Sequence, residues 1–287
     1  MRLLLNLFKL RIGVAIALAA VAGMAVTPVV TPGALGSWQA VVVTLAVLVS
    51  SAAAGAFNQY AERDLDARMA RTRNRPFVSG ELNHGPLWLW VIGAMTAASV
   101  LAAAFASNWL AAFYVFLGAF TYGVVYTVWL KRRTWLNIVV GGLAGSFAVL
   151  AGAAAVTPTL SPASIWLAVV LFLWTPPHFW SLAIVYREDY AGAGVPMLPV
   201  VVGDARCARV ILGSALVLVA SSLMPALHGL GWVYLAAAIA GGTYFLVTCV
   251  ALVRNPGRGT ARTSFRASLI QLSLVLFGAI ADTALRG

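Results

Sequence analysis

Apolar stretches of about twenty residues recur nine times along the chain, at 12–30, 38–57, 87–106, 109–130, 135–156, 163–186, 208–227, 232–253 and 267–284. A helix needs about 20 such residues to cross the hydrocarbon of a bilayer. Only 9% of the 287 residues are charged and 62% are hydrophobic, against roughly 25% and 45–50% in soluble domains. So few polar groups cannot cover so much apolar surface in water. The expected fold is an all-α integral membrane protein, a single polytopic domain over 1–287 with nine transmembrane helices in one bundle. Small-residue runs at 50–55, 141–145 and 236–242 suit close helix packing there.

The charges alternate with the spans. Arg2, Lys9 and Arg11 precede the first; Arg63, Arg68, Arg71, Arg73 and Arg75 follow the second; Lys131, Arg132 and Arg133 follow the fourth. Arg187, Arg206 and Arg209 border the loop after the sixth, and Arg254, Arg258, Arg262 and Arg266 follow the eighth. The intervening loops, 31–37, 107–108, 157–162 and 228–231, carry no Lys or Arg. Basic residues mark the cytoplasmic side, so the expected orientation is N-terminus in the cytoplasm and C-terminus outside. The first stretch is expected to be a retained span, and the location a bacterial cytoplasmic (inner) membrane. This placement accounts for the net charge of +11 without nucleic acid as a partner. Cys207 and Cys249 have no CxxC or histidine spacing and read as small apolar residues.

Acidic residues gather in two basic loops, 58–86 and 187–207, which are expected to form a polar cap. If the second span continues as a helix, Asn58, Glu62 and Asp66 fall at every fourth position on one face, with Asp64 directed away. One amide and two carboxylates offer hard oxygen ligands that suit Mg²⁺ shared with phosphate, and Arg68, Arg71 and Arg75 supply phosphate donors. The same spacing also fits a solvated loop whose acids pair with topology-setting arginines. Glu188 and Asp189 form the second acidic group. Below it Pro176 and Pro177 should kink or interrupt the sixth span and set His178 within the bundle. An intramembrane histidine is a functional candidate, although a hydrogen bond between helices would also explain it. Lys131 and Arg132 could receive a diphosphate or serve topology alone. An inner rim of carboxylates and cations above an apolar cavity suits a lipid-like substrate with a diphosphate head. It does not suit a channel, which needs polar residues through its depth.

These residues also carry a resemblance. The stretch from Asn58 through Glu62, Asp64, Asp66, Arg68, Arg71 and Arg75 to Pro76 resembles the first aspartate-rich motif of the intramembrane aromatic (UbiA-type) prenyltransferase superfamily. Lys131, Arg132, Thr134 and Asn137 resemble its basic loop. The runs from Trp174 to Trp180 and from Tyr186 to Pro199 are similar to its protohaem IX-farnesylating branch. Two positions depart from the superfamily pattern: Glu62 stands for aspartate in the first motif, and Tyr186 and Tyr190 stand where the second has aspartates.

The resemblance implies a prenyltransferase that moves farnesyl from farnesyl diphosphate to a vinyl group of haem B, with Mg²⁺ as cofactor, haem B and farnesyl diphosphate as substrates and the bilayer as surroundings. A downstream haem-modifying membrane enzyme is an expected partner. It implies Asn58, Glu62, Asp66, His178 and Asp189 as catalytic residues and Asn58, Glu62, Asp66, Glu188 and Asp189 as metal ligands. Arg68, Arg71, Arg75, Lys131 and Arg132 would bind diphosphate, with His178 and Trp180 on the haem. Prenylation of a quinone precursor such as 4-hydroxybenzoate is the nearest alternative, and a non-enzymatic haem or lipid transporter the next.

Overall fold

The computed structural model describes residues 2–28 and 35–286, and of Arg2 the backbone only. The end of the first expected span (29–30) and most of the following loop (31–34) lie outside the described residues. The described secondary structure is helical throughout. A short α1 (Arg2–Leu7) leads to α2 (Leu10–Ala25); Lys9 between them has φ 46°. Next come α3 (Ser37–Ala61), α4 (Arg63–Ala67), α5 (Pro76–Ser79), α6 (Leu87–Ala106) and α7 (Trp109–Phe120), the last running on as a π-helix over Thr121–Leu130. Then follow α8 (Asn137–Gly141), α9 (Leu143–Val156), α10 (Pro162–Val185), α11 (Arg187–Gly192) and α12 (Leu198–Val202). Three long helices close the chain: α13 (Asp204–Leu227), α14 (Trp232–Arg254) and α15 (Arg258–Ala284).

Among the described residues eight elements are long and apolar enough to cross a membrane: α3, α6, α7 with its π extension, α8 with α9, α10, α13, α14 and α15. At 16 residues, α2 rises about 24 Å, short of the roughly 30 Å hydrocarbon layer. Large apolar side chains such as Trp90, Phe105, Val247 and Phe277 are exposed, as lipid-facing helices require. Alanine is the commonest apolar residue on the inward faces, and helices therefore approach closely. On α2 and α9 the contact is reciprocal. A Cβ on Gly23 would collide with the carbonyl of Val149, and one on Gly152 with the carbonyl of Ala20.

One expectation about helix continuity needs correction, and one feature was not expected. Pro176 and Pro177 lie inside α10 without interrupting it. Proline removes the donor that would bond the carbonyl four residues back, and the neighbouring helix crowds that place. A Cβ on Gly142 would stand 3.2 Å from Phe172 O, the carbonyl that Pro176 leaves without its helical donor. The other change is the π-helix, which the residue spacing did not announce; Lys131 N donates to Tyr126 O, five residues back, at 2.9 Å.

Candidate active site

The end of α3 builds the centre of the rim. Helical geometry breaks at Glu62 (φ −102°, ψ 16°), yet Glu62 N still donates to Asn58 O at 3.1 Å and Asp66 N to Glu62 O at 2.8 Å. The four-residue spacing therefore survives the break. Asn58, Glu62 and Asp66 are all buried, at 2%, 1% and 2% exposure. The Asp64 side chain points out to 53% exposure and pairs with Arg132 at 2.6 Å, whose guanidinium holds that carboxyl below the usual carboxylate range.

Each member of the buried trio meets a cation from a different part of the chain. Lys9 Nζ donates to Asn58 Oδ1 at 2.6 Å and to Tyr122 Oη at 3.1 Å. Lys131 Nζ donates to Glu62 Oε2 at 2.5 Å. Arg75 Nη1 forks onto Asp66 Oδ1 and Oδ2 at 2.9 and 2.7 Å. Asn58 Nδ2 donates to Thr127 Oγ1 at 3.0 Å, and Thr127 in turn to Tyr122 O at 2.8 Å. The π-helix thus presents Tyr122, Tyr126 and Thr127 to the cluster, with the Tyr122 and Tyr126 rings stacked at 5.5 Å. π-helical segments often occur at functional sites.

Burial sets the electrostatics. Desolvation pulls the Lys9 ammonium down to about 7, and Arg75 and Lys131 push the same way. It also raises the Asp66 carboxyl against the opposing pull of Arg75, with Glu62 adding to the rise. One acceptor is left over: Glu62 Oε1 is buried with no donor among the described residues, as is Asn137 Oδ1.

Arg71 joins the second loop to the first. Its backbone N–H donates to Asp189 Oδ2 at 3.4 Å and its Nη2 to Tyr190 Oη at 3.3 Å, while the guanidinium lies 5.0 Å over the Tyr186 ring. The two tyrosines that depart from the superfamily pattern therefore both hold an arginine. Glu188 lies outside the cluster, highly exposed and paired with Arg258 at 3.0 Å. Arg68 is exposed as well.

His178 and Trp180 sit lower, on α10. The His178 imidazole stacks between Trp174 (4.0 Å) and Phe265 (4.5 Å) with the edge of Phe179 at 5.1 Å, and its Nδ1 lies 2.7 Å from Ser268 Oγ. It makes no hydrogen bond with the rim cluster. Trp180 tilts against Trp135 at 6.2 Å, and its buried Nε1 has no acceptor among the described residues.

Of the residues singled out from sequence, Asn58, Glu62, Asp66, Arg75 and Lys131 converge, Arg71 and Asp189 meet beside them, and Arg132 serves Asp64. Lys9 was missed, counted only as a topology charge. The signal available was its position in an otherwise apolar run from Leu7 to Leu10, where an ammonium needs a partner.

Residues 14–275 match the UbiA prenyltransferase family. The chain is 59% identical to protoheme IX farnesyltransferase 2 of Paramagnetospirillum magneticum, over 100% of this chain and 99% of that one. It is 42% identical to protoheme IX farnesyltransferase of Hyphomonas neptunium, covering 96% of this chain and 89% of the relative. Among solved structures, a UbiA homolog from Archaeoglobus fulgidus bound to DMAPP and Mg2+ superposes with TM-score 0.70 at 18% identity, covering 97% of this chain and 99% of that one. A digeranylgeranylglyceryl phosphate synthase superposes at 0.79, with 16% identity and 98% of each chain covered; both show the fold. By these matches the chain is an integral, multi-pass member of the UbiA prenyltransferase family.

Proposed function

We propose that the protein transfers a farnesyl group from farnesyl diphosphate to a vinyl group of haem B, with water addition, giving haem O and diphosphate. The allylic C–O bond breaks and diphosphate leaves. The farnesyl C1 bonds the terminal vinyl carbon, and water adds at the carbon beside the porphyrin, releasing a proton. The carrying observation is the buried trio Asn58, Glu62 and Asp66 ringed by Lys9, Arg75 and Lys131; the identity to protoheme IX farnesyltransferases supports the choice of acceptor.

The donor set fits Mg²⁺. Glu62 Oε1 is a buried acceptor with no donor, and two carboxylates with an amide oxygen are the hard ligands this ion takes. No three His, Cys, Asp or Glu converge into a metal cluster among the described residues. Asn58, Glu62 and Asp66 would therefore share the ion with diphosphate oxygens. When bound, Mg²⁺ neutralises charge on the departing diphosphate. Lys9, Arg75 and Lys131 surround the trio as counter-charges, and each could turn from its carboxylate or amide partner to a phosphate. Arg71, held by Asp189, Tyr186 and Tyr190, adds a fixed positive charge where the superfamily's second motif would supply ligands. On this reading Glu188 is not a ligand. Arg68 and Arg132 act at longer range from the outer rim. The apolar bundle keeps water from the allylic cation, and the stacked Tyr122 and Tyr126 rings offer it a π face. His178 and Trp180 would hold the haem.

We read α2 as the described part of a ninth crossing. The N-terminus and the polar cap of loops 58–86 and 187–207 then face the cytoplasm of a bacterial inner membrane and the C-terminus lies outside; the charge asymmetry of the loops supports this. The test is incubation of nanodisc protein with haem B, farnesyl diphosphate and Mg²⁺, with mass spectrometry of the extracted haem. A product heavier by one farnesyl and one hydroxyl group, absent after chelation, is expected. Prenylated 4-hydroxybenzoate with unmodified haem would overturn the acceptor assignment.

A further inference from the structure

The surroundings of His178 decide which of its ring nitrogens carries the proton. Ser268 Oγ lies 2.7 Å from both His178 Nδ1 and the carbonyl of Phe265. A hydroxyl has one proton. If Ser268 spends it on Phe265 O, the serine must accept from Nδ1–H, and the chain His178 to Ser268 to Phe265 holds two hydrogen bonds. If Ser268 donates to Nδ1 instead, only one remains, in a bundle interior where a lost bond is not replaced by water. The first arrangement is favoured.

The clamp also removes the ring's freedom to flip. Trp174 and Phe265 stack on its two faces. Trp174 is itself tied to the same turn of α15, its Nε1 donating to Ser268 O at 2.7 Å. A flip would need both aromatic rings to part. Nε2 has no hydrogen-bond partner among the described residues, yet it is not one of the fully enclosed unpaired atoms.

We infer that Ser268 is a positioning residue that fixes His178 as the Nδ1–H tautomer, so that Nε2 offers a lone pair to the haem iron and not a proton to a haem propionate. The inference rests on haem being the acceptor, as proposed above. A lone pair cannot hold a carboxylate, which itself only accepts; it can ligate iron, and a hydrogen bond from the opposite ring nitrogen is what orients such ligands.

The tautomer is read by ¹⁵N NMR of histidine-labelled protein in nanodiscs, assigned against His178→Gln, and the iron contact by the Soret band on adding haem B. Wild type should show protonated Nδ1 and bare Nε2. Ser268→Ala should populate both tautomers and weaken haem binding about 10–100-fold, and Ser268→Thr, which keeps the hydroxyl, should restore both readouts. A protonated Nε2 in the wild type would overturn the inference. So would a Ser268→Ala protein with unchanged tautomer and Soret band, or a Soret band insensitive to His178→Gln. Absence of farnesylated haem from wild-type protein would count against the function instead and would leave the NMR spectrum as it is.

Discussion

Glu62 and Asp282 are equally buried carboxylates, each 1% exposed, near opposite ends of the bundle, and they are built to opposite specifications. Asp282 is complete. It accepts from the backbone N–H groups of Gly231, Val233 and Tyr234 and pairs with Arg286, so a side chain of α15 caps the start of α14. Those N–H groups have no partner within their own helix. Glu62 is incomplete: Lys131 holds one oxygen and the other has no donor. Leaving a buried acceptor unpaired costs about 1–3 kcal/mol. A carboxylate whose valences are filled by backbone does structural work and has nothing left to offer. One held by a single movable lysine, with a free oxygen, has capacity for a ligand.

The comparison is most exposed to failure at its catalytic end. Glu62→Gln and Asp66→Asn should each lower kcat/KM for farnesyl diphosphate by about 10²–10³-fold, the loss typical of removing one electrostatic contact to a developing charge. The melting temperature should fall as well, since Lys131 or Arg75 is left buried without its partner. Turnover near wild type would erase the distinction. Lys9→Met should cost less, about 10–100-fold, as expected for one charge-assisted bond, and appear mainly in KM for the diphosphate; a normal KM would reduce Lys9 to a strut. Asp282→Ala should separate stability from turnover, which Glu62→Gln does not. It should remove about 2 kcal/mol of stability as the α14 cap is lost, seen as a lower melting temperature in nanodiscs, with kcat/KM within about twofold. Smallest is Arg132→Gln. Its pair with Asp64 is half exposed, and such pairs contribute about 0–1 kcal/mol, so stability and turnover should change little. A large loss there would move the diphosphate toward the outer rim.

Much of this contrast was legible in the residues alone. The apolar stretches coincide with the helices from α3 onward because length and hydropathy are local properties. The spacing of Asn58, Glu62 and Asp66 named the buried face correctly, and set Asp64 apart, because the four-residue repeat outlasts the break at Glu62. Three features were not legible. The continuity of α10 through Pro176 and Pro177 goes against the local rule for proline, and Gly142 packs closely on that stretch from another helix. The π-helix repacks an ordinary aromatic sequence, and its spacing gives no local sign. Lys9 enters the site through a left-handed turn and contacts 49 and 113 residues away in sequence. Tertiary partners decided each of these, and a single sequence does not display them.

The glycine contact between α2 and α9 has a reach beyond its own packing. Gly23 stands 14 residues after Lys9, about 21 Å along the axis of α2, and with Gly152 it is pressed against carbonyls of the facing helix. That makes α2 a lever with its fulcrum far from the charged rim and the ammonium at its other end. A tilt of about 5° at the fulcrum would swing the far end by about 2 Å over that length, comparable to displacements that spoil reactive alignment. The aim of a charge at one surface is thus set by the absence of two methyl groups deep in the bundle.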